Sequence, residues 1–459
     1  MQKLSTKIFR KKVYAIGEGG FEKRLSATSL VLLGVGAIIG AGIFVITGKA
    51  AATMAGPAII LSFIFAAIAL GITALVYAEL GTNIPVAGSA YSYTYSTLGE
   101  FLAWMVGWNL LLEYGLIVPA VSAGWSGYFR AFMENAFSFK FPAWLSGAYG
   151  TSDGSFVDIF ALIMTALVFI LLTFGIKKTS TTNAWIVAIK FIVLGLFVFT
   201  GFKYINFELI SDFMPFGWGG VLSATSLIVF AYLGFDALST VAEETKDVQR
   251  SLPIGLIGSL TLSTLLYIVV SFILVSILPY QKLDVPDALA YAMFELDEPL
   301  VGLLISGGAV VTITSVLIVM GVGLTRVIYA LSRDGLLPKS LATLHPRTNA
   351  PYKITILSGV FASLFAGFVP LGVLAELINI GTLFAYLMIG VAVIMLRKAG
   401  KSNGFRVPFG KVLLPLNVLF MAVLMYGLSG ETWVRFLIWG AVGVLVYIFY
   451  GSRKSELNV

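Results

Sequence analysis

Apolar runs of about 20 residues follow one another almost from end to end of this 459-residue chain, separated by short polar stretches. About 20 apolar residues cross the hydrocarbon core of a bilayer as a helix. The pattern predicts about twelve such spans, at 26–50, 57–80, 98–129, 157–175, 183–203, 220–241, 253–278, 300–330, 352–369, 373–396, 412–428 and 433–451. The expected fold class is therefore an all-α integral membrane protein. Two of the spans are interrupted. The first contains GVGAIIGAGIFVITG, with glycines at Gly34, Gly36, Gly40, Gly42 and Gly48. The sixth contains VFAYLGFDALST, with Gly234 and the acid Asp236 near its centre. Glycine loosens a helix, and a loosened turn inside a bilayer is tolerated only where it is buried in protein or lines a cavity.

The spacing of the interruptions organises the chain. Breaks in spans one and six suggest two five-helix repeats, 26–203 and 220–397. Five is odd, so the second repeat enters from the opposite face and is inverted, which is a 5+5 inverted-repeat core. Helices 1 and 6 are unwound at mid-membrane in this reading. Two additional helices follow over 412–451. A basic arm (1–25) and a short tail (452–459) complete the chain, and the arm is expected on the inner surface, where anionic lipid attracts it.

Charge sets the orientation. With an inside N-terminus, 22 of the 30 lysines and arginines fall on the inner side and 6 on the outer side. That asymmetry predicts a multi-pass plasma (inner) membrane protein with both termini cytoplasmic. It also accounts for the net charge of +7 without nucleic acid. The chain has no cysteine and a single histidine, His345. That leaves no metal cluster and no nucleophilic triad, so no enzyme activity, metal or cofactor is expected. Gly48-Lys49-Ala50 lacks the first glycine and the Ser/Thr of a phosphate loop.

The breaks carry the expected chemistry. Freed N–H groups around Ile39, Gly40, Ala41 and Gly42, at the start of a half-helix, suit a carboxylate. Freed carbonyls around Phe230, Ala231 and Leu233 suit an ammonium group. A site with both suits a zwitterion, and an L-amino acid is the obvious small one. The glycines of span one also fit a small-residue packing face, and Phe230 fits either a lid or ordinary packing. Asp236 fits a helix cap, a pocket role, or both. Lys190 lies mid-span in NAWIVAIKFIVLGLF, where a charge costs roughly 2.5–3.5 kcal/mol on insertion scales. A lysine that can lose its proton there would couple a proton gradient to helix movement. While charged, it would stand where a sodium ion otherwise sits, so sodium is not expected. The alternative is a structural lysine on backbone carbonyls. Glu113, in span three, is open to pairing with Lys190, with Asp236 through water, or with a basic substrate side chain. Glu79, Glu100 and Glu376 are expected to be structural, and Arg326 an anchor. The stretch Glu243, Glu244, Lys246, Asp247 and Arg250 is expected to form an inner salt-bridge set.

Several long stretches carry a likeness. Besides the glycine run, they are AGPAIILSF (Ala55–Phe63), YAELGTNIPVAGSAYSYTYSTLGEFLAWMVGWNLLLEYG (Tyr77–Gly115), FAYLGFDALSTVAEET (Phe230–Thr245) and SRDGLLP (Ser332–Pro338). At these residues the chain resembles the amino acid–polyamine–organocation superfamily and, within it, the cationic amino acid transporter branch. The resemblance implies alternating access, backbone contacts to substrate around Ile39–Gly42 and Phe230–Leu233, and a second-sodium position occupied by Lys190, which supports proton coupling. Family members often carry a hydroxyl residue where this chain has Ala41. The expected function is a proton-coupled L-amino acid symporter for cationic or small neutral amino acids. An exchanger and a non-transporting amino acid sensor are the alternatives. The expected partners are the substrate and the lipid bilayer, with a small membrane subunit left open.

Overall fold

The computed structural model describes residues 8–13, 23, 25–86, 88–151, 154–174, 180–344, 351–400, 402 and 404–458. His345 lies outside the described residues. Within them the backbone satisfies itself almost wholly by helices, as hydrocarbon demands. The described residues form no strand, only the isolated bridges Leu25 to Thr245 and Ser146 to Asp158.

The first membrane segment is α1 (Ala27–Ile38), then, after a break, a π-helical stretch (Gly42–Ile46), α2 (Thr47–Ala50) and a second π-helical stretch (Ala51–Ala55). A turn at Gly56–Ala58 separates it from α3 (Ile59–Asn83). Next come α4 (Ser89–Thr97), α5 (Glu100–Phe137), α6 (Ile159–Thr173) and α7 (Ser180–Gly201). The second half holds α8 (Gly217–Ile228), α9 (Val248–Ile277), the short α10 (Ala288–Glu295) and α11 (Pro299–Arg333). It ends with α12 (Tyr352–Phe368), α13 (Leu371–Lys398), α14 (Gly410–Tyr426) and α15 (Gly430–Val446). Among the described residues, eight helical runs are long and apolar enough to cross a membrane. One of them, Ala27–Asn83, takes in both α1 and α3, while α6, α12 and α14 are shorter apolar helices.

Two packing groups emerge. One joins α9 to α1 and α3, and α8 to α3. The other joins α5 to α11 and α13, and α12 to α6. Close crossing of α1 and α9 depends on small residues. A Cβ on Gly34 would lie 2.4 Å from Ser259 Oγ, and one on Gly255 would lie 2.6 Å from Leu30 Cβ. Large apolar side chains such as Phe199, Trp218, Leu357 and Leu437 are exposed, as a lipid-facing surface requires.

Three buried carboxylates bind the terminus-bearing end together. Glu79 takes Arg397 Nε at 2.7 Å and the Val407 N–H at 2.7 Å. Glu100 receives Arg10, Tyr95, Tyr447 and Ser455. Asp334 receives Lys12 at 2.9 Å and Tyr91 at 2.8 Å. Glu79 and Glu100 are thus structural, as the sequence suggests. So is Glu376, which accepts from Ser429 and Thr432. The described part of the N-terminal arm is bonded to protein through Arg10 and Lys12 rather than left to a lipid surface alone. Of the salt-bridge set expected after span six, the Glu243 side chain lies outside the described residues, and among the described residues no ion pair joins Glu244, Lys246, Asp247 and Arg250. The chain is tied there by backbone bonds, Leu25 N–H to Glu244 O at 3.0 Å and Lys246 N–H to Leu25 O at 2.9 Å. Arg326 is exposed.

At the opposite end the connection between α9 and α11 folds over the bundle. A Cβ on Gly48 would meet Leu283 O and Ala288 Cβ at 2.5 Å each, and one on Gly127 would meet Pro286 Cβ at 2.5 Å. Lys282 and Glu295 pin the connection with a 2.8 Å ion pair. Asp287, just before α10, makes no capping hydrogen bond. Burial pushes its carboxyl up to about 6, with Arg130 opposing the shift. A raised carboxyl pKa means stability that is complete below about 3.9, the ordinary value, and is lost as pH rises through 6. Asp287→Asn should therefore raise the thermal unfolding midpoint at pH 7, by up to about 3 kcal/mol of stability at about 1.4 kcal/mol per pKa unit, and flatten its dependence between pH 4 and pH 6. An unchanged slope would show that Asp287 is solvated in the folded protein.

Candidate functional site

The helix of span one stops at Ile38. Ile39 turns to an extended conformation (φ −73°, ψ 102°), and helical geometry resumes at Ala41. A helix that stops leaves its last carbonyls without N–H partners. Side chains from two other helices take them. Lys190 Nζ, from α7, donates to Gly36 O and Ile39 O at 2.5 Å each. The Tyr267 hydroxyl, from α9, donates to Ile38 O at 2.9 Å. Both side chains are wholly buried. Beyond the break, Tyr128 donates to Phe44 O at 2.7 Å.

Span six breaks over a longer stretch. After α8 comes a 3-10 turn (Val229–Tyr232), then the extended Leu233 (ψ 139°). Gly234 follows with φ +108°, and a second 3-10 segment runs over Asp236–Glu244. Gly234 is required twice over. Its φ is one that side chains rarely adopt, and a Cβ there would lie 3.0 Å from Ala37 O. Asn379, from α13, donates to Ser226 O at 3.0 Å and Leu227 O at 2.8 Å, so one amide satisfies two carbonyls at the end of α8. Asp236 opens that second 3-10 segment. Its Oδ1 reaches back to the Gly234 N–H at 3.3 Å, across the break.

The two breaks touch. A Cβ on Gly42 would stand 2.2 Å from Ala231 Cα, so only glycine admits this approach. The Tyr267 hydroxyl that meets Ile38 O also lies 3.0 Å from Ala231 O. Ile39, Gly40, Ala41 and Gly42 are thereby brought beside Phe230, Ala231 and Leu233, and all seven are buried. Gly40 faces Val316 of α11, and Ala41 faces Gly124 of α5. Phe230 is 4% exposed, within the 3-10 turn.

Glu113 and Asp236 form a separate acidic group on one side of the contact. They act on each other electrostatically, and the Thr382 hydroxyl acts on Glu113. Glu113 Oε2 and Asp236 Oδ2 have no partner within 3.5 Å at good hydrogen-bond geometry, and neither have the hydroxyls of Tyr77 and Tyr386, although Tyr386 faces Asp236 and Ser89 faces Tyr77. The rings of Tyr77, Phe235 and Tyr386 pack at 5.5–5.8 Å around them. Unpartnered buried polar atoms are rare in folded proteins, so this group is poised for water, a proton or a ligand. A cavity of about 390 Å³ also opens between α8, α13 and the start of α15, lined in part by Leu222, Leu227, Glu376 and Ser429.

Tyr267 and Asn379 are missing from the residues that the sequence singles out. Each is a polar tip in an apolar helix, a signal too common along such helices to single them out. Neither carries the charge that draws attention to Lys190.

The sequence that carries these breaks has counterparts among known proteins. The sequence pattern of the amino acid permease family matches residues 25–450. The chain belongs to that family. It is 43% identical to the methylthioribose transporter of Bacillus subtilis (strain 168), over 95% of each chain. It is 42% identical to a branched-chain amino acid permease of the same organism, over 98% of this chain and 99% of the relative. A vacuolar cationic amino acid transporter of Arabidopsis thaliana is 35% identical over 82% of this chain and 63% of its own length. The permease is thus a multi-pass membrane protein from a transporter family.

Because Gly42 and Ala231 pack backbone to backbone, Gly42→Ala should push the breaks of the permease apart. Overpacking typically costs about 1–3 kcal/mol, so the unfolding midpoint should fall. Gly195→Ala, where the added Cβ meets nothing within 4 Å, should leave it unchanged. Equal midpoints for the two variants would refute the contact.

Proposed function

We propose that this permease is a proton-coupled L-amino acid symporter of the plasma (inner) membrane that works by alternating access. The observation that carries the reading is the Lys190 ammonium on the Gly36 and Ile39 carbonyls. A charged lysine there holds the break of span one shut. Loss of its proton weakens two charge-assisted hydrogen bonds in a water-free setting, where such bonds are strongest. Proton release is thereby tied to movement of span one. The same ammonium supplies a fixed positive charge, and no sodium ion is needed.

The substrate carboxylate meets the N–H groups at Gly40, Ala41 and Gly42, and its ammonium meets carbonyls of both breaks. Phe230 covers it, and Glu113 and Asp236 lie toward its side chain. Splitting Ala27–Asn83 at its turn and adding the three shorter apolar helices yields twelve crossings. Residues 26–203 and 220–397 are then the inverted repeats, 412–451 the two added helices, and both termini (1–25 and 452–459) are cytoplasmic. The relatives' names favour branched-chain or cationic amino acids. The name of the methylthioribose transporter supports a second reading, an uncharged thiosugar on the same scaffold, which would leave the zwitterion contacts unused. A thermal-shift screen of the twenty amino acids together with methylthioribose separates these.

In proteoliposomes, uptake of the stabilising amino acid should rise with an inward proton gradient and be independent of sodium. Lys190→Ala should abolish accumulation driven by the gradient, while part of the binding persists. Normal accumulation by this variant under a pH gradient would show that the coupling lies elsewhere.

A further inference from the structure

The geometry points to Tyr267 as the positioning residue that sets the distance between the ammonium acceptors of the two breaks. We infer that its hydroxyl holds the Ile38 and Ala231 carbonyls at a spacing that a substrate ammonium can bridge. The inference rests on the amino acid reading above and deepens it.

A phenolic hydroxyl has one proton. Tyr267 presents it to two acceptors, Ile38 O at 2.9 Å on the first break and Ala231 O at 3.0 Å on the second. Tyr267 bonds to both. Two oxygens within hydrogen-bond reach of one hydroxyl are also within reach of one ammonium, because O–H···O and N–H···O bonds differ little in length. Each carbonyl has a second lone pair, so an ammonium can dock beside the hydroxyl without evicting it.

The ring is fixed independently of the hydroxyl. Its centroid lies 5.4 Å from those of Phe63 and Tyr232, and the Tyr232 hydroxyl itself binds Phe63 O at 3.2 Å. Tyr267→Phe therefore removes the hydroxyl while keeping the aromatic packing. It frees the two carbonyls to turn, and the breaks lose a common reference point.

The test compares an amino acid with its des-amino counterpart, the carboxylic acid bearing the same side chain. The amino acid is the one that most stabilises the full-length wild-type protein, and both compounds compete for its radiolabelled form. Tyr267→Phe should weaken the amino acid about ten-fold, the scale of one buried hydrogen bond. The des-amino acid should change little, so the factor separating the two ligands shrinks. A general structural defect would instead weaken both alike and lower the unfolding midpoint without ligand. Equal weakening, no weakening, or tighter amino acid binding would each overturn the inference. Tighter binding would mean that the hydroxyl merely occupies the ammonium's place. Failure of the amino acid reading looks different: the wild-type protein itself then binds no amino acid.

Discussion

Everything in this protein answers to one constraint, that a peptide carbonyl in hydrocarbon must have a donor. An unbroken helix supplies it locally. Spans one and six give that up for a few residues, and the debt is met by side chains from three other helices: Lys190 of α7, Tyr267 of α9 and Asn379 of α13. A buried polar group left without a partner costs about 1–3 kcal/mol, so each break stays open only while these donors stay in place. Disturbing a donor then disturbs the helix it serves.

The two breaks act together because nothing separates them. Gly42 lies against the Ala231 backbone, and Gly234 lies against Ala37. A shift of span one is therefore felt at span six without an intervening relay. The surrounding ends are held by stronger ties. Glu79, Glu100 and Asp334 gather the termini and loops at one end. The Lys282–Glu295 pair holds the lid-like connection at the other.

Much of this was legible in the sequence because glycine and charge are rare inside apolar runs. The glycine run from Gly34 and the Gly234–Asp236 pair marked the breaks, and a lone lysine in NAWIVAIKFIVLGLF marked the residue that serves one of them. The partner helices were not legible. Tyr267 and Asn379 look ordinary in LLYIVV and ELINIG, since tyrosine and asparagine are also common at span ends. Their role depends on which turn of which helix faces the break, and that is a tertiary fact. The π-helical stretches Gly42–Ile46 and Ala51–Ala55 were hidden for the same reason. Asp236 was open to a cap, a pocket role or both, and the fold-back of its carboxylate onto the Gly234 N–H depends on the length of the break. The arm's contacts with Glu100 and Asp334 join residues 90 and 322 positions apart, which no local pattern encodes.

The most direct test is an experimental density map of the protein with a stabilising amino acid bound. The account places the carboxylate against the N–H groups of Gly40, Ala41 and Gly42, and the ammonium between carbonyls of the two breaks, with Lys190 still on Gly36 and Ile39 in the closed form. Density for the ligand in the cavity beside Glu376 and Ser429 instead, or a continuous helix through either break, would contradict it.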